Sequence, residues 1–157
     1  MNPKFEKLDA FSILGCPQYA NPGDLCPGLA WDRLSKLRRR HGLKGFPELA
    51  FAVEVYPPEF PNNDFTLYYM AGMVLEDAPL ELREHLFIKE IPAANYAVFH
   101  VEDNNVDNIK GTFEYAYQQW LPNSEYKVSH RFDLERYREN PEKCYEIMLP
   151  VVNNESA

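Results

Sequence analysis

The sequence has too few basic residues for a protein whose main partner is a polyanion. Its 16 Lys and Arg residues stand against 24 Asp and Glu residues, which gives a formal charge of -8 over 157 residues. Nucleic acids and anionic membranes are bound chiefly through Lys and Arg, so we expect neither as the main partner. The short basic run at 36–41 ends a predicted helix, where positive charge complements the helix dipole, and we interpret it as a solvated helix end.

Closely spaced cysteines and long hydrophobic runs are also missing. Cys16, Cys26 and Cys144 include no pair at the spacing that zinc sites use, and His100 has no Cys or His at metal-ligand spacing. We therefore expect no metal and no cofactor. The first residues lack the apolar core of a signal peptide, and no stretch has the length needed to cross a bilayer. The sequence thus predicts a cytoplasmic protein with no membrane partner.

What is present is the composition of an ordinary globular protein, with 45% apolar and 25% charged residues. A chain of this length has the usual size of one domain with a sizeable core. We therefore expect a single domain that spans 1–157.

Hydrophobic periodicity predicts the elements of this domain. Helical spacing of apolar residues predicts a helix from about Pro27 to His41 and a second over 106–120, with Asn104 or Asn105 available as its N-cap. Runs rich in strand-forming residues predict six strands, at 11–16, 49–56, 65–74, 96–100, 132–137 and 144–151.

The order of these elements is the same in both halves of the chain. Each half, at about 5–75 and 85–151, contains a strand, a helix and two further strands. Such a duplication predicts an α+β fold of two β-α-β-β modules related by a pseudo-twofold axis. Antiparallel sheets and the two main helices would then surround a central cleft, which is a common place for a ligand pocket.

The last two predicted strands set carboxylates among large apolar residues. In an extended strand Asp133, Glu135 and Tyr137 share one face. If that face is covered, Glu135 lies in an aromatic environment, where a carboxylate is costly to desolvate unless something compensates its charge. A missing Lys or Arg partner would leave room for a cationic ligand. The alternative is that Glu135 faces water on a half-buried strand.

Aromatic residues of the second helix are candidates for the wall of the same cleft. Tyr117 and Trp120 recur at helical spacing, which is typical of a plain core as well as of a ligand site. Tyr137 follows Glu135 on its strand face, so the two should line a pocket together. Met148 shares a strand face with Glu146, and its flexible thioether suits either an irregular core or an adaptable pocket.

Several segments carry a family resemblance because they occur together in one order and spacing. They are Tyr69-Met70-Ala71-Gly72, 91–93, 96–100, 112–117, 120–122, Leu134-Glu135-Arg136-Tyr137 and 146–151. From Tyr68 onward the chain resembles the GyrI-like small-molecule-binding family, whose effector-binding domain is also fused to AraC-type and MerR-type multidrug-sensing regulators. The match leaves no room for a helix-turn-helix domain, so we expect a stand-alone effector-binding domain.

The resemblance implies which residues bind the ligand. It implies an aromatic cleft in which Glu135 pairs with lipophilic cations, and it implies Glu146 as a second pocket carboxylate. On this ground we expect Glu135 to be a buried counter-ion rather than a solvated residue. The expected site comprises both glutamates together with Tyr137, Trp120, Tyr117, Phe99, Tyr69 and Met148.

Three functions remain compatible with these residues. The first is binding of hydrophobic, cationic small molecules of the drug-like effector kind, without chemistry. The second is hydrolysis: some stand-alone members of the family are implied to open cyclopropane rings of genotoxic natural products, and Glu135 beside Tyr137 could act there as general base. The third is a protein-interaction role of the gyrase-inhibitor type, with an unidentified partner. We expect the first, with the hydrolase as the main alternative.

Overall fold

The computed structural model describes residues 2–102, 106–138 and 144–155. Asn104 and Asn105, the candidate N-caps of the second helix, lie outside these ranges. Within them the chain forms nine strands and three α-helices. The strands are β1 Lys4–Leu8, β2 Phe11–Ala20, β3 Leu49–Val55, β4 Leu67–Val74, β5 Phe87–Ile91, β6 Ala94–His100, β7 Tyr126–Val128, β8 Phe132–Arg138 and β9 Cys144–Asn153. The helices are α1 Pro27–Arg40, α2 Leu80–Arg83 and α3 Val106–Tyr115.

Every strand pairing in the described residues is antiparallel, and all strands belong to one sheet. Its order is β1-β6-β9-β8-β3-β4-β2-β5, with β7 paired to β9 outside this path. The first half supplies β2, β4 and β3, the second half supplies β6, β9 and β8, and the halves meet where β3 pairs with β8. The predicted α+β class of two β-α-β-β modules is therefore confirmed, with the strands of both halves hydrogen-bonded into a continuous sheet.

A reciprocal exchange of short strands ties the two halves together. β1 lies at the start of the first half but pairs with β6 of the second, while β5 lies at the start of the second half and pairs with β2 of the first. The periodicity did not predict these two strands, because both lie at the edges of the sheet with most of their side chains exposed. An edge strand of this kind lacks the buried alternation that marks an inner strand.

The alternation of inner strands gives each face of the sheet its own core. One face, called here the helix face, carries the small side chains of Ala50 and Ala52, and it packs against Ala30 of α1 and against Ala116. The opposite face, called the far face, carries large side chains that pack on one another, among them Phe51, Val53, Tyr96, Leu134 and Met148. The small residues leave space under the helices, and polar groups occupy part of that space.

One helix from each half lies over the helix face. α1 begins with a proline in its first turn and contacts β2 and β4, whereas α3 contacts β9. After Tyr115 helix α3 continues as one π-helical turn, Ala116–Trp120, and then a 3-10 turn, Leu121–Asn123. No helix formed by the described residues is long and apolar enough to cross a membrane.

The basic end of α1 is only partly solvated. Arg39 and Arg40 are exposed, but Arg38 is 6% exposed and its Nη1 lies 3.3 Å from Sδ of Met73. Burial lowers the pKa of Arg38, and the charge of Asp77 opposes that effect. The helix end is thus solvated on one side and packed on β4 on the other.

Candidate ligand-binding site

Three carboxyl groups meet on the helix face at the centre of the sheet. The register of β3 and β8 places Glu54 opposite Asp133 and Ala52 opposite Glu135. All three acids are buried: Glu54 is 8% exposed, Asp133 0% and Glu135 7%. Because alternate residues of a strand share a face, the two acids of β8 lie side by side next to the single acid of β3.

Tyrosine hydroxyls donate hydrogen bonds into this cluster. Both Tyr56 and Tyr117 donate to Oδ2 of Asp133, at 2.6 and 2.8 Å, and Tyr137 donates to Oε1 of Glu135 at 2.8 Å. Burial, followed by the charge of Asp133, raises the pKa of Tyr56 and of Tyr117 far above the usual range. Both phenols therefore remain protonated donors.

No basic side chain of the described residues forms an ion pair with any of the three acids; the ion pairs in these ranges involve Asp32, Glu6 and Glu146 instead. Burial, then the charges of Glu135 and Asp133, raises the pKa of Glu54 well above its usual value. Burial also raises the pKa of Asp133, against the hydrogen bonds from Glu54, Tyr56 and Tyr117. Burial and the like charges of its two neighbours thus act on Glu54 in the same direction, toward its neutral form.

A proton on Glu54 would complete the hydrogen bonding of the cluster. Oε2 of Glu54 and Oδ1 of Asp133 are buried oxygens that no amide, hydroxyl or basic group of the described residues reaches. Two carboxylates on directly opposed residues repel each other, whereas a carboxylic acid can donate to its neighbour. A protonated Glu54 can donate to Asp133 or to Glu135, and this removes the repulsion.

Aromatic side chains from α1 and β4 cover the cluster on one side. Nε1 of Trp31 donates to the hydroxyl of Tyr69 at 3.0 Å, and the Trp31 ring meets the ring of Tyr137 edge-on at 4.8 Å. Phe46 packs against Trp31, with 5.2 Å between the ring centroids. Of the predicted wall, Tyr69 and Tyr137 thus lie beside the acids, and Trp31 joins them.

Trp120 and Phe99 lie in a neighbouring aromatic group of the same core. Their rings meet at 5.3 Å, and Trp120 also contacts Tyr126 and Phe5. The hydroxyl of Tyr117 reaches Asp133 from the π-helical turn that also holds Trp120. The π-helical turn after α3 therefore contributes Tyr117 to the carboxyl cluster and Trp120 to the neighbouring aromatic group.

Glu146 and Met148 are not brought to this site. Glu146 pairs with Arg136 across β8 and β9, and Oε1 of Glu146 accepts a hydrogen bond from Nε of Arg136 at 2.8 Å. Nη1 of the same arginine lies 2.7 Å from Oε2 of Glu6. Met148 is fully buried in the core of the far face. Both expected pocket residues therefore lie across the sheet from Glu135.

Sequence reasoning missed Glu54, Tyr56 and Trp31. A signal for the first two was available, since Glu54 is a lone acid in the otherwise apolar strand 49–55 and Tyr56 follows it at a spacing of two, as Tyr137 follows Glu135. Trp31 fell on a predicted amphipathic helix, where an aromatic residue is typical of a plain core. The convergence of these residues required the pairing of strands that lie far apart in sequence.

A cavity of about 510 Å³ opens next to the acids. Its lining includes the rings of Tyr56 and Tyr117, whose hydroxyls hold Asp133, but not Glu135 itself. The full lining is Tyr56, Phe60, Tyr117, Gln118, Val128, His130 and Arg131. The guanidinium of Arg131 is bonded to the main-chain oxygens of Tyr56, Pro57 and Phe60. The two tyrosines therefore stand between the cavity and the carboxyl cluster.

The arrangement of the acids is not that of a metal centre. In the described ranges no group of three or more His, Cys, Asp or Glu side chains is placed to hold an ion. Aromatic rings and phenol hydroxyls surround the acids instead. Such surroundings suit an organic cation, because its charge is spread over an apolar body.

Comparison with known proteins shows the family. Residues 4–151 match the family described as Cass2, integron-associated effector binding protein. The chain belongs to this family. It is also 32% identical over 122 residues to the DNA gyrase inhibitor of Yersinia enterocolitica, an alignment that covers 76% of this chain and 68% of that protein. The GyrI-like resemblance is thereby confirmed.

Solved structures show the same fold at low sequence identity. SAV2435, solved with bound tetraphenylphosphonium, superposes with a TM-score of 0.69 at 15% identity, over 97% of this chain and 94% of that one. The integron cassette protein Cass2 of Vibrio cholerae superposes with a TM-score of 0.67 at 12% identity, over 97% of both chains. At these identities the likeness concerns the fold alone.

Proposed function

We propose that this protein binds hydrophobic, cationic small molecules and that the carboxyl cluster of Glu54, Asp133 and Glu135 is their counter-ion. The observation that carries the proposal is the burial of all three acids without an ion-pair partner among the described residues. A buried carboxylate is retained at a cost that a paired cation offsets. A ligand can supply the cation that the chain does not.

The surroundings of the acids favour an aromatic, lipophilic cation over a small hydrated one. Trp31, Tyr69 and Tyr137 pack together beside Glu135, and the ring of Tyr117 lies at the adjoining cavity. An aromatic face contributes about 0.5 to 2 kcal/mol to the binding of a cation. A diffuse organic cation also loses less hydration than an ammonium group when it enters such a site.

The cavity beside Tyr56 and Tyr117 offers the route of entry. Its volume of about 510 Å³ lies within the range of ligand pockets, about 300 to 1,000 Å³. A ligand that enters there reaches Asp133 only if one of the two tyrosine rings moves aside, because both hydroxyls hold Oδ2 of that residue. Binding and rearrangement of these hydrogen bonds are therefore expected together.

The relatives support the proposal at the level of ligand class. The family is described as effector-binding, and SAV2435, which has the same fold, was solved with a lipophilic cation. The acids and aromatic residues described above give a physical reason why a ligand of the same class would bind to this chain.

The test is a titration of the protein with tetraphenylphosphonium, followed by tryptophan fluorescence, because Trp31 contacts the site. Triphenylphosphine oxide, a neutral molecule with similar rings, serves as the control ligand. We expect saturable binding of the cation at one site and an affinity at least about tenfold lower for the neutral analogue, a difference of about 1.4 kcal/mol. Equal affinities, or no saturable binding of the cation, would overturn the proposal.

A further inference from the structure

We propose that Glu54, within the carboxyl cluster, gives up its proton when a cation enters, so that the site exchanges one proton for one cation. This inference rests on the proposed function and adds to it the role of Glu54 as proton carrier and a stoichiometry. Glu135, the acid implied by the family resemblance, is then one member of a coupled set rather than a lone counter-ion.

The geometry of the cluster favours a proton in the absence of ligand. Oδ2 of Asp133 is saturated by the hydroxyls of Tyr56 and Tyr117. Its Oδ1 and the Oε2 of Glu54 are buried, and the two residues are directly opposed on paired strands. A hydrogen bond between the two carboxyl groups needs one of them to be an acid, since two carboxylates have no proton to share.

The groups that face Glu54 identify it as the proton carrier. Asp133 and Glu135 face it from β8, and Tyr56 and Tyr117 face it from the end of β3 and from the π-helical turn. On β4, Tyr69 is the residue paired with Glu54. The charges that act on Glu54 are thus those of two acids, and together with its burial they raise its pKa.

No Lys, Arg or His of the described residues forms an ion pair with these acids. His130 and Arg131 line the cavity on the other side of the tyrosine rings. The Arg131 guanidinium is bonded to three main-chain oxygens there, and Nδ1 of His130 lies 2.8 Å from Oγ of Ser129. In this account the ligand supplies the positive charge that pairs with the acids.

A bound cation removes the reason for Glu54 to stay protonated. Its charge stabilises a third carboxylate in the cluster, as an opposite charge nearby lowers the pKa of an acid. The proton leaves to solvent, one positive charge replaces another, and the net charge of the buried site is unchanged. By linkage the affinity then rises about tenfold per pH unit while free Glu54 is protonated, and it levels off above that range.

Calorimetry measures this exchange directly. Tetraphenylphosphonium is titrated into the full chain at one pH in two buffers that differ in ionisation enthalpy, and the titration is repeated over a series of pH values. We expect release of about one proton per cation and an affinity that rises by about tenfold per pH unit. The variant Glu54→Gln is expected to bind without releasing a proton and with an affinity independent of pH.

Glu48→Gln is the matched control, since Glu48 is an exposed glutamate just before the same strand. It should release a proton as the wild type does. Binding of the cation to the wild type without proton release, or proton release that persists in Glu54→Gln, overturns the exchange at Glu54 and leaves the proposed function intact. Failure of the wild type to bind the cation at any pH overturns both.

Discussion

Glu54 and Asp133 are directly opposed on β3 and β8, the two central strands of the sheet, and both are buried. The contact joins the two halves of the chain, because β3 belongs to the first and β8 to the second. Two acids at such a position need a proton, a cation or both. The stability of the fold and the binding of a ligand therefore depend on the same pair of residues.

We predict that Glu54→Gln stabilises the protein at high pH. Burial and then Glu135 and Asp133 raise the pKa of Glu54 from 4.5, so the folded state holds a proton that the unfolded chain has lost. The wild type is therefore most stable, with respect to this group, below that value, and it loses stability as the pH rises toward the folded pKa. The slope is at most about 1.4 kcal/mol per pH unit.

Urea denaturation of the wild type and of Glu54→Gln between about pH 5 and pH 8 checks this sign. The amide stays neutral and can still donate a hydrogen bond, so the advantage of the variant should grow with pH. Glu48→Gln, on the exposed side of the same segment, should follow the wild type. If the unfolding free energy of Glu54→Gln changed with pH as that of the wild type does, Glu54 would already be ionised in the folded wild type.

A second prediction concerns the two hydroxyls on Asp133. Tyr56→Phe and Tyr117→Phe each remove one donor from Oδ2 and are expected to cost about 1 kcal/mol of unfolding free energy. The double variant should cost more than the sum, because Asp133 is 0% exposed and then has no hydroxyl donor. Tyr68→Phe, at a site 47% exposed, is the control and should be nearly neutral. If the losses of unfolding free energy in the two single variants simply added up in the double variant, the two hydroxyls would not act together on Asp133.

A good part of this fold follows from the sequence, for physical reasons. The buried alternation of 132–137 places Asp133, Glu135 and Tyr137 on one face, and the structure has them there. The helix from Pro27 ends at Arg40, within one residue of the predicted His41. Long elements with a strong apolar period are defined by local chemistry, so their type and face can be predicted.

What the sequence could not supply is the pairing between distant strands. The opposition of Glu54 and Asp133 depends on the register of β3 with β8, which no local pattern encodes. The position of Glu146 depends on register in the same way: it is paired with Arg136, and a shift by one residue would move its side chain to the face of Glu135. The pattern assigns each side chain to a face of its own strand. It does not show which side chains of other strands lie next to it.

Glu146 provides a third prediction. Burial acts to raise the pKa of this acid, but the hydrogen bond and charge of Arg136 outweigh it, and the pKa is lowered from 4.5. Its contribution to stability is therefore present above that value and is lost as the pH falls through the folded pKa. We expect Glu146→Gln to lower the unfolding free energy by about 2 kcal/mol at neutral pH, since among the described residues Arg136 then has an ion pair only with Glu6.

Denaturation at neutral and acidic pH, combined with a titration of tetraphenylphosphonium, separates the two roles of the glutamates. Glu146→Gln should lose stability at neutral pH, approach the wild type at low pH and bind the cation with unchanged affinity. If it lost affinity for the cation at unchanged stability, Glu146 would belong to the ligand site and the assignment of the two faces would be wrong.

A fourth prediction tests the close packing of β2 on β4. Gly15 and Gly72 are paired, and a Cβ on Gly15 would lie 1.9 Å from the main-chain oxygen of Ala71. Gly15→Ala therefore requires the strands to separate, and we expect a loss of several kcal/mol or no folded protein. Gly111→Ala is the control, because a Cβ there meets nothing within 4 Å and alanine favours a helix by about 1 kcal/mol. Similar stability of the two variants would contradict the strand pairing.

The affinity of Glu135→Gln for tetraphenylphosphonium tests whether the buried acids of the helix face hold a cation. Tyr137 can still donate to the amide oxygen, so the fold should persist, which circular dichroism can verify. At neutral pH we expect a dissociation constant at least about tenfold higher than that of the wild type, with Glu48→Gln unchanged. An affinity of Glu135→Gln equal to that of the wild type would contradict it.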